Sequence, residues 1–179
     1  MGFGSMTGKD PKQTTQIVID AVNKTKVRAI IATGWGGLEA TDLPDHILAI
    51  EGAPHDWLFA RVAAVVHHGG AGTTAAGLKA GKPTLICPFF GDQPFWGALI
   101  AKRGLGPVPI KQKQLNSENL SSALLELVSN EQYLAQAQKV ASQLALEDGP
   151  ERAIKWLEHR ADKADELRVY QNAVRLISI

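Results

Sequence analysis

The stretch VVHHGGAGTTAAGLKAGKPTLICPFFGDQ, residues 65–93, constrains the fold more than any other part of the chain. A β-branched run is stopped by Gly69 and Gly70, a small-residue stretch of helical character (TTAAGLKAG) follows, and KPTLICPFF returns as a second apolar run. A short apolar run bounded by glycine reads as a buried strand, and a helical segment between two such runs reads as a crossover. The expected product is a parallel sheet covered by helices.

The flanking sequence extends the same alternation. DPKQTTQIVIDAV offers Asp10 as N-cap, Pro11 at the first helical position, and Ile17, Val18, Ala21 and Val22 at helical spacing. VRAIIATG and ILAIEG are two more short strands, each stopped by glycine. From Ser117 the pattern is helical: SENLSSALLELV carries Ser117 as cap with Leu120 and Leu124 inward, and EQYLAQAQKVASQLAL adds a second amphipathic face. A last segment starts with Pro150 at the first helical position, and Leu167, Tyr170, Val174 and Ile177 form an apolar stripe near its end. That stripe reads either as cover for the chain's own core or as a docking face. The expected organisation is a Rossmann-like α/β domain over residues 1–158 and a helical tail over 159–179.

Charge excludes some functions. Nineteen basic residues against eighteen acidic ones leave a net charge of +1, which gives no basis for a nucleic-acid surface or an anionic-membrane surface. No apolar run approaches the roughly 18 residues of a membrane span. The single cysteine, Cys87, lies in an apolar run and reads as a small core residue in a reducing compartment.

The glycine turn carries the chemistry. It falls at a strand's carboxyl end, before a helix expected to start near Thr73, and open α/β sheets bind ligands there. Glycines let backbone N–H groups approach an anion, and a helix N-terminus adds free donors and about half a positive charge. Thr73 and Thr74 supply hydroxyls, and His68 supplies a hydrogen bond or a charge. The occupant expected is a phosphate or diphosphate. A ligand-free tight turn, with Thr73 as a plain N-cap, is the bland alternative.

A rival reading shares these residues. Gly70-Ala71-Gly72-Thr73-Thr74-Ala75 fits the dinucleotide fingerprint G-x-G-x-x-G/A, and Asp92 follows about 20 residues later, where a ribose-binding acid belongs in an NAD-dependent oxidoreductase. The mid-chain position of the motif and the two histidines before it count against that reading. GLKAGKPT has the wrong glycine spacing for a Walker A loop. Adjacent His67 and His68 on a strand point to opposite faces, which argues against a shared metal and puts one of them toward the core.

Taken together, APHDWLFARVAAVVHHGGAGTTAAGLKAGKPTLICPFFGDQ resembles the donor-binding signature of UDP-sugar-dependent glycosyltransferases of the two-domain GT-B architecture. The combination of PHDWLF, HHGGAGTT and PFFGDQ is most similar to the sterol 3-beta-glucosyltransferases. The resemblance implies the carboxyl-terminal half of a GT-B fold, which holds the nucleotide sugar, while an amino-terminal domain holds the acceptor and the catalytic base. It assigns Ser5, His68, Gly70, Gly72, Thr73 and Thr74 to the diphosphate and Asp92 and Gln93 to the sugar hydroxyls. His55, at the place where plant members carry a glutamine, and Trp35 go to the uridine. No catalytic residue is identified in this chain, since neither His67 nor His159 matches the family's base.

The resemblance further implies UDP-glucose as donor, no metal or other cofactor, and a sterol or similar lipid acceptor reached through the amino-terminal domain. It implies a cytoplasmic protein, peripheral to a membrane at full length, whose isolated chain is inactive alone. A non-catalytic UDP-sugar-binding subunit that needs a separate acceptor subunit is the alternative. Ala76 stands where plant relatives have a ribose-binding glutamate, so ribose recognition is expected to come from elsewhere. Few strand residues precede GFGSM, so the first strand is expected to be nearly absent. Trp57 and Trp96 are expected to pack in the fold, with a sugar or acceptor platform as the alternative.

Overall fold

The structure, a computed structural model, describes residues 1–4, 6, 10–34, 43–161 and 163. The chain divides into two compact units, residues 1–144 and 145–179. In the first, four short strands run parallel: β1 (Ala29–Ala32), β2 (Ile47–Ile50), β3 (Val65–His67) and β4 (Thr84–Ile86). Each is β-branched or leucine-rich and is bounded by glycine or proline, as the sequence suggests.

Two ladders form, β1 with β2 in register Ala29↔Ile47 and β3 with β4 in register Val65↔Thr84. The amino-terminal segment joins them. Gly2 bridges in parallel to Ala32 on one side and His67 on the other. Its N–H donates to the Val66 carbonyl at 3.1 Å, and the Met1 carbonyl accepts from Ala32 N–H at 2.8 Å. The first strand is therefore as short as expected, yet its few residues hold the middle of the sheet. The spatial order is β2, β1, amino-terminal segment, β3, β4, the order of a doubly wound sheet, and its switch point lies between that segment and β3.

Alternation along the strands feeds two apolar layers. Leu85 and Cys87 join Phe3, Ile31 and Val66 under α1 (Pro11–Thr25) and α5 (Ser117–Ser129). Ile86 joins Ile100 of α4 (Gln93–Lys102), Leu105 just after that helix and Ala137 of α6 (Glu131–Leu144). Cys87 is fully buried, as expected, and burial pushes its thiol pKa up to about 12. Leu120, Leu124 and Leu127 are buried from α5, each contributing roughly 1.5–3 kcal/mol by removal from water.

Several local expectations hold. Asp10 caps α1 by accepting from Gln13 N–H at 2.9 Å, with Pro11 first in the helix. The cap of α5 is corrected: it is Asn116, which accepts from Asn119 N–H while the Asn119 side chain accepts from Asn116 N–H. Ser117 is the first helical residue; an asparagine at both ends closes the reciprocal box that Leu120 could not. Two helices carry no clear sequence signal, α4 and the short α2 (His55–Phe59). Trp96 packs against the second core layer as expected. Trp57 does not; it is 54% exposed, with the Arg61 guanidinium 4.5 Å from its ring centre.

The second unit is helical from 149 to 161. Its cap is Asp148, which accepts from Glu151 N–H at 3.0 Å, so Pro150 sits second in the helix rather than first. His159 lies within this helix, and the stripe at Leu167, Tyr170, Val174 and Ile177 lies outside the described residues. No helix among the described residues is long and apolar enough to cross a membrane.

Candidate functional site

Because the strands are parallel, the loops leaving their carboxyl ends gather on one edge of the sheet. The residues singled out by sequence come from these loops. Ser5 and Trp35 follow the amino-terminal segment and β1 but lie outside the described residues. His55 opens α2 after β2, His68 to Thr74 follow β3, and Asp92 and Gln93 follow β4.

At the switch point the packing is specific. α3 (Ala71–Lys79) starts two residues earlier than expected, with Gly70 as N-cap and no side-chain cap bond. Thr73 is therefore the third helical residue, not the cap. Helix geometry leaves the N–H groups of Ala71, Gly72 and Thr73 without intrahelical partners. The first bond within the helix runs from Thr74 N–H to the Gly70 carbonyl.

His68 is half-buried between two glycines. A Cβ on Gly70 would stand 2.6 Å from His68 Nε2, and one on Gly4 would stand 3.3 Å from His68 Cε1. A Cβ on Gly34, at φ +58°, would lie 2.8 Å from the Gly4 carbonyl oxygen. The loops after the amino-terminal segment and β1 thus touch backbone to backbone, and the loop after β3 meets the first of them through the His68 imidazole. Burial lowers the pKa of His68; neighbouring Asp92 opposes this and His55 adds to it. Nδ1 of His68 is buried without a hydrogen-bond partner among the described residues.

The remaining candidates are partly engaged already. Thr74 is buried and its hydroxyl donates to the Gly70 carbonyl at 2.9 Å. Gln93 is buried; its side-chain oxygen accepts from Phe89 N–H at 2.8 Å and Phe90 N–H at 3.3 Å, and its nitrogen approaches Met6 Sδ at 3.7 Å. Asp92 is exposed, and one carboxylate oxygen accepts from Trp96 Nε1 at 2.8 Å. His55 is exposed and stacks on Phe59 at 4.7 Å between ring centres. Gly4, Met6 and Gly34 join the site without having been foreseen. Only their glycine-rich setting hinted at it, since their approach depends on the sheet order.

A cavity of about 650 Å³ lies elsewhere, lined by Arg28, His46, Phe59, Val65 and Leu127 near the strands' amino ends. None of the glycine-loop residues lines it. Among the described residues no group of three or more histidines, cysteines or carboxylates is placed to hold a metal.

Residues 16–159 match the family model described as erythromycin biosynthesis protein CIII-like, C-terminal domain. The chain belongs to that glycosyltransferase family. Sequence relatives agree. A sterol 3-beta-glucosyltransferase of Arabidopsis thaliana is 51% identical over 156 residues, covering 86% of this chain and 25% of the relative. One from Komagataella phaffii is 42% identical over 174 residues, covering 93% of this chain and 14% of the relative. The chain thus spans a quarter or less of the length of these two relatives.

Solved structures share the fold. The calicheamicin glycosyltransferase CalG4 matches with a TM-score of 0.77 at 20% identity, over 91% of this chain and 43% of that one. The glycosyltransferase VinC, solved in complex with dTDP, matches at 0.73 and 22% identity, over 90% and 41%. The fold is the carboxyl-terminal half of a GT-B glycosyltransferase, a class that uses nucleotide-sugar donors. Family membership removes the oxidoreductase reading, and the sheet agrees. The fingerprint glycines follow β3, on the far side of the switch point from the first strand, where a dinucleotide motif belongs.

Proposed function

We propose that this chain is the donor-binding part of a glucosyltransferase that moves glucose from UDP-glucose to the hydroxyl of a sterol or similar lipid. The observation that carries the reading is His68 held between Gly4 and Gly70, beside the free N–H groups that open α3. An anion placed there meets several donors and the positive end of a helix at once.

In this reading the N–H groups of Ala71, Gly72 and Thr73, the Thr73 hydroxyl, His68 and Ser5 hold the diphosphate. Thr74 shapes the site through its bond to the Gly70 carbonyl. These groups stabilise the charge that builds on UDP as the bond from the sugar's anomeric carbon breaks. The acceptor oxygen forms the new bond with inversion, and its proton passes to a base on the acceptor-holding half. Asp92 orients the sugar hydroxyls through its carboxylate, and Gln93 through the nitrogen of its amide. Trp35 and His55 flank the uridine. No metal takes part, because the helix start and His68 do its electrostatic work. The full-length enzyme works in the cytoplasm, peripheral to a membrane.

Calorimetry of UDP-glucose binding in the presence of a chelator tests the donor site, and the expected outcome is binding that chelation does not change. Incubation with labelled UDP-glucose and a sterol panel tests the division of labour. Transfer is expected only when the acceptor-holding half of a relative is supplied, because the positioned base and acceptor together are worth many powers of ten. Absence of UDP-glucose binding would overturn the reading.

A further inference from the structure

His67 ends β3, is 2% exposed, and does not face the proposed donor site. Its Nδ1 accepts the Gly69 N–H at 2.9 Å inside the protein. Its Nε2 is buried with no partner among the described residues. An imidazole that accepts at Nδ1 is neutral and carries its proton on Nε2. Burial agrees, with the neighbouring His68 as a lesser cause, lowering the His67 pKa to about 3.

The residue it bonds is the sharpest point of the loop. Gly69 has φ +98°, a conformation that side-chain-bearing residues rarely adopt. A Cβ there would lie 2.7 Å from Ile86 Cγ2 and 3.2 Å from Gln93 Cβ. The kink is pressed against β4 and α4, and its N–H points back into the fold rather than out with the donors that follow. Without an acceptor for that N–H, a buried donor would be left unsatisfied at the kink, and the loop would relax to satisfy it.

We propose that His67 is a positioning residue for the diphosphate loop: through Nδ1 it holds the Gly69 kink from which Gly70 and the first turn of α3 are aimed at the anion. The inference rests on the donor-site reading above. It divides the histidine pair by task. His68 faces the ligand, and His67 acts from behind, through one backbone bond.

The chemistry of the acceptor supplies the test. Asparagine carries its Oδ1 as many bonds from the backbone as His67 carries Nδ1, so His67→Asn keeps an acceptor in reach of Gly69. His67→Phe keeps the ring and removes the acceptor. UDP affinity is measured by calorimetry for the full chain and both variants, with circular dichroism and thermal midpoint recorded on the same samples. His67→Phe should weaken UDP by about 3- to 10-fold or more, the scale of one buried hydrogen bond, and His67→Asn should recover most of the loss.

A folded His67→Phe that binds UDP as tightly as the parent would overturn the inference while the donor site stands. Equal weakening in folded Phe and Asn variants would also overturn it. A parent chain that fails to bind UDP overturns the donor-site reading instead, and the role with it. Should His67→Phe fail to fold, nitrogen-15 shifts of the parent decide. Nδ1 unprotonated and Nε2 protonated from pH 5 to 8, with Gly69 N–H protected from exchange, is the expected result; a protonated Nδ1 refutes it.

Discussion

Replacing Gly70 by alanine separates donor binding from folding. The backbone at Gly70 has φ −61° and ψ 140°, which alanine adopts without strain. Loss of a glycine from the unfolded ensemble favours alanine by about 0.4–1 kcal/mol, and alanine as N-cap costs a similar amount. Net stability should therefore change little. The new methyl, however, would stand 2.6 Å from His68 Nε2. Ordinary contact needs about 3.5 Å, so the imidazole must move by roughly 1 Å or turn away. Gly4 lies along the Cε1 and Nδ1 side of the ring, so the displaced imidazole loses its place between the two glycines. A hydrogen bond to a charged phosphate is worth about 1.5–3 kcal/mol, so UDP should bind some 10- to 150-fold more weakly. The assay is calorimetry on Gly70→Ala, His68→Ala and the double variant. If the glycine acts through His68, adding Gly70→Ala to His68→Ala should cost almost nothing. Additive losses, or Gly70→Ala binding within about threefold of the parent, would refute the reasoning.

Other outcomes follow from the same geometry. Asp92→Ala should weaken UDP-glucose by about 2- to 10-fold and leave UDP nearly unchanged, measured by competition titration. Gln93→Leu should also destabilise the fold by about 1–3 kcal/mol in urea, because its oxygen accepts from Phe89 and Phe90 N–H. Gly106→Ala should prevent stable folding, seen by circular dichroism, since a Cβ would lie 1.9 Å from the Thr84 carbonyl oxygen. Acid should destabilise the parent more than His67→Asn. The His67 pKa is 6.5 when unfolded and about 3 when folded, so its contribution is complete above pH 6.5 and is lost as pH falls toward 3. The expected slope is up to about 1.4 kcal/mol per pH unit, and an equal fall in urea midpoint for the two proteins between pH 7 and pH 4.5 would remove His67 as the cause.

The strands and most helices were legible because their signals are local. A β-branched run stopped by glycine needs no tertiary context, and neither does Asp10 followed by Pro11. The helix α4 was not legible, because apolar residues surround it. Phe95 is 62% exposed while Ile100 is buried, so no single apolar stripe marks its face. The cap of α5 was misplaced by one residue because asparagine at the third helical position can reciprocate as glutamate does. At the site, the loop sequence pointed to an anion, yet the approach of Gly4 to His68 and of Gly34 to Gly4 could not be read from spacing. That approach exists only because the amino-terminal segment inserts between β1 and β3. Sheet order, a long-range property, sets it.

The β3-to-α3 crossover explains why the proposed donor site is assembled from open hydrogen-bonding groups. A crossover from β3 into α3 ends a strand and starts a helix within a few residues, so the free N–H groups of the helix are delivered at the sheet edge. Among the described residues no side-chain cap bond closes this helix start. His68 Nδ1, buried beside Gly4, also lacks a partner among the described residues. An ordinary fold would close such a helix start with serine or aspartate at the cap, as α1 does with Asp10. Glycine at the cap leaves the donors open and lets the imidazole lie against the backbone. A serine at Gly70 would cap α3, and its Cβ would displace His68, so it should raise stability by a few tenths of a kcal/mol while weakening UDP. Under the proposed function, stability and donor binding at this position thus pull against each other, and a bound diphosphate would reconcile them by satisfying the donors that open α3.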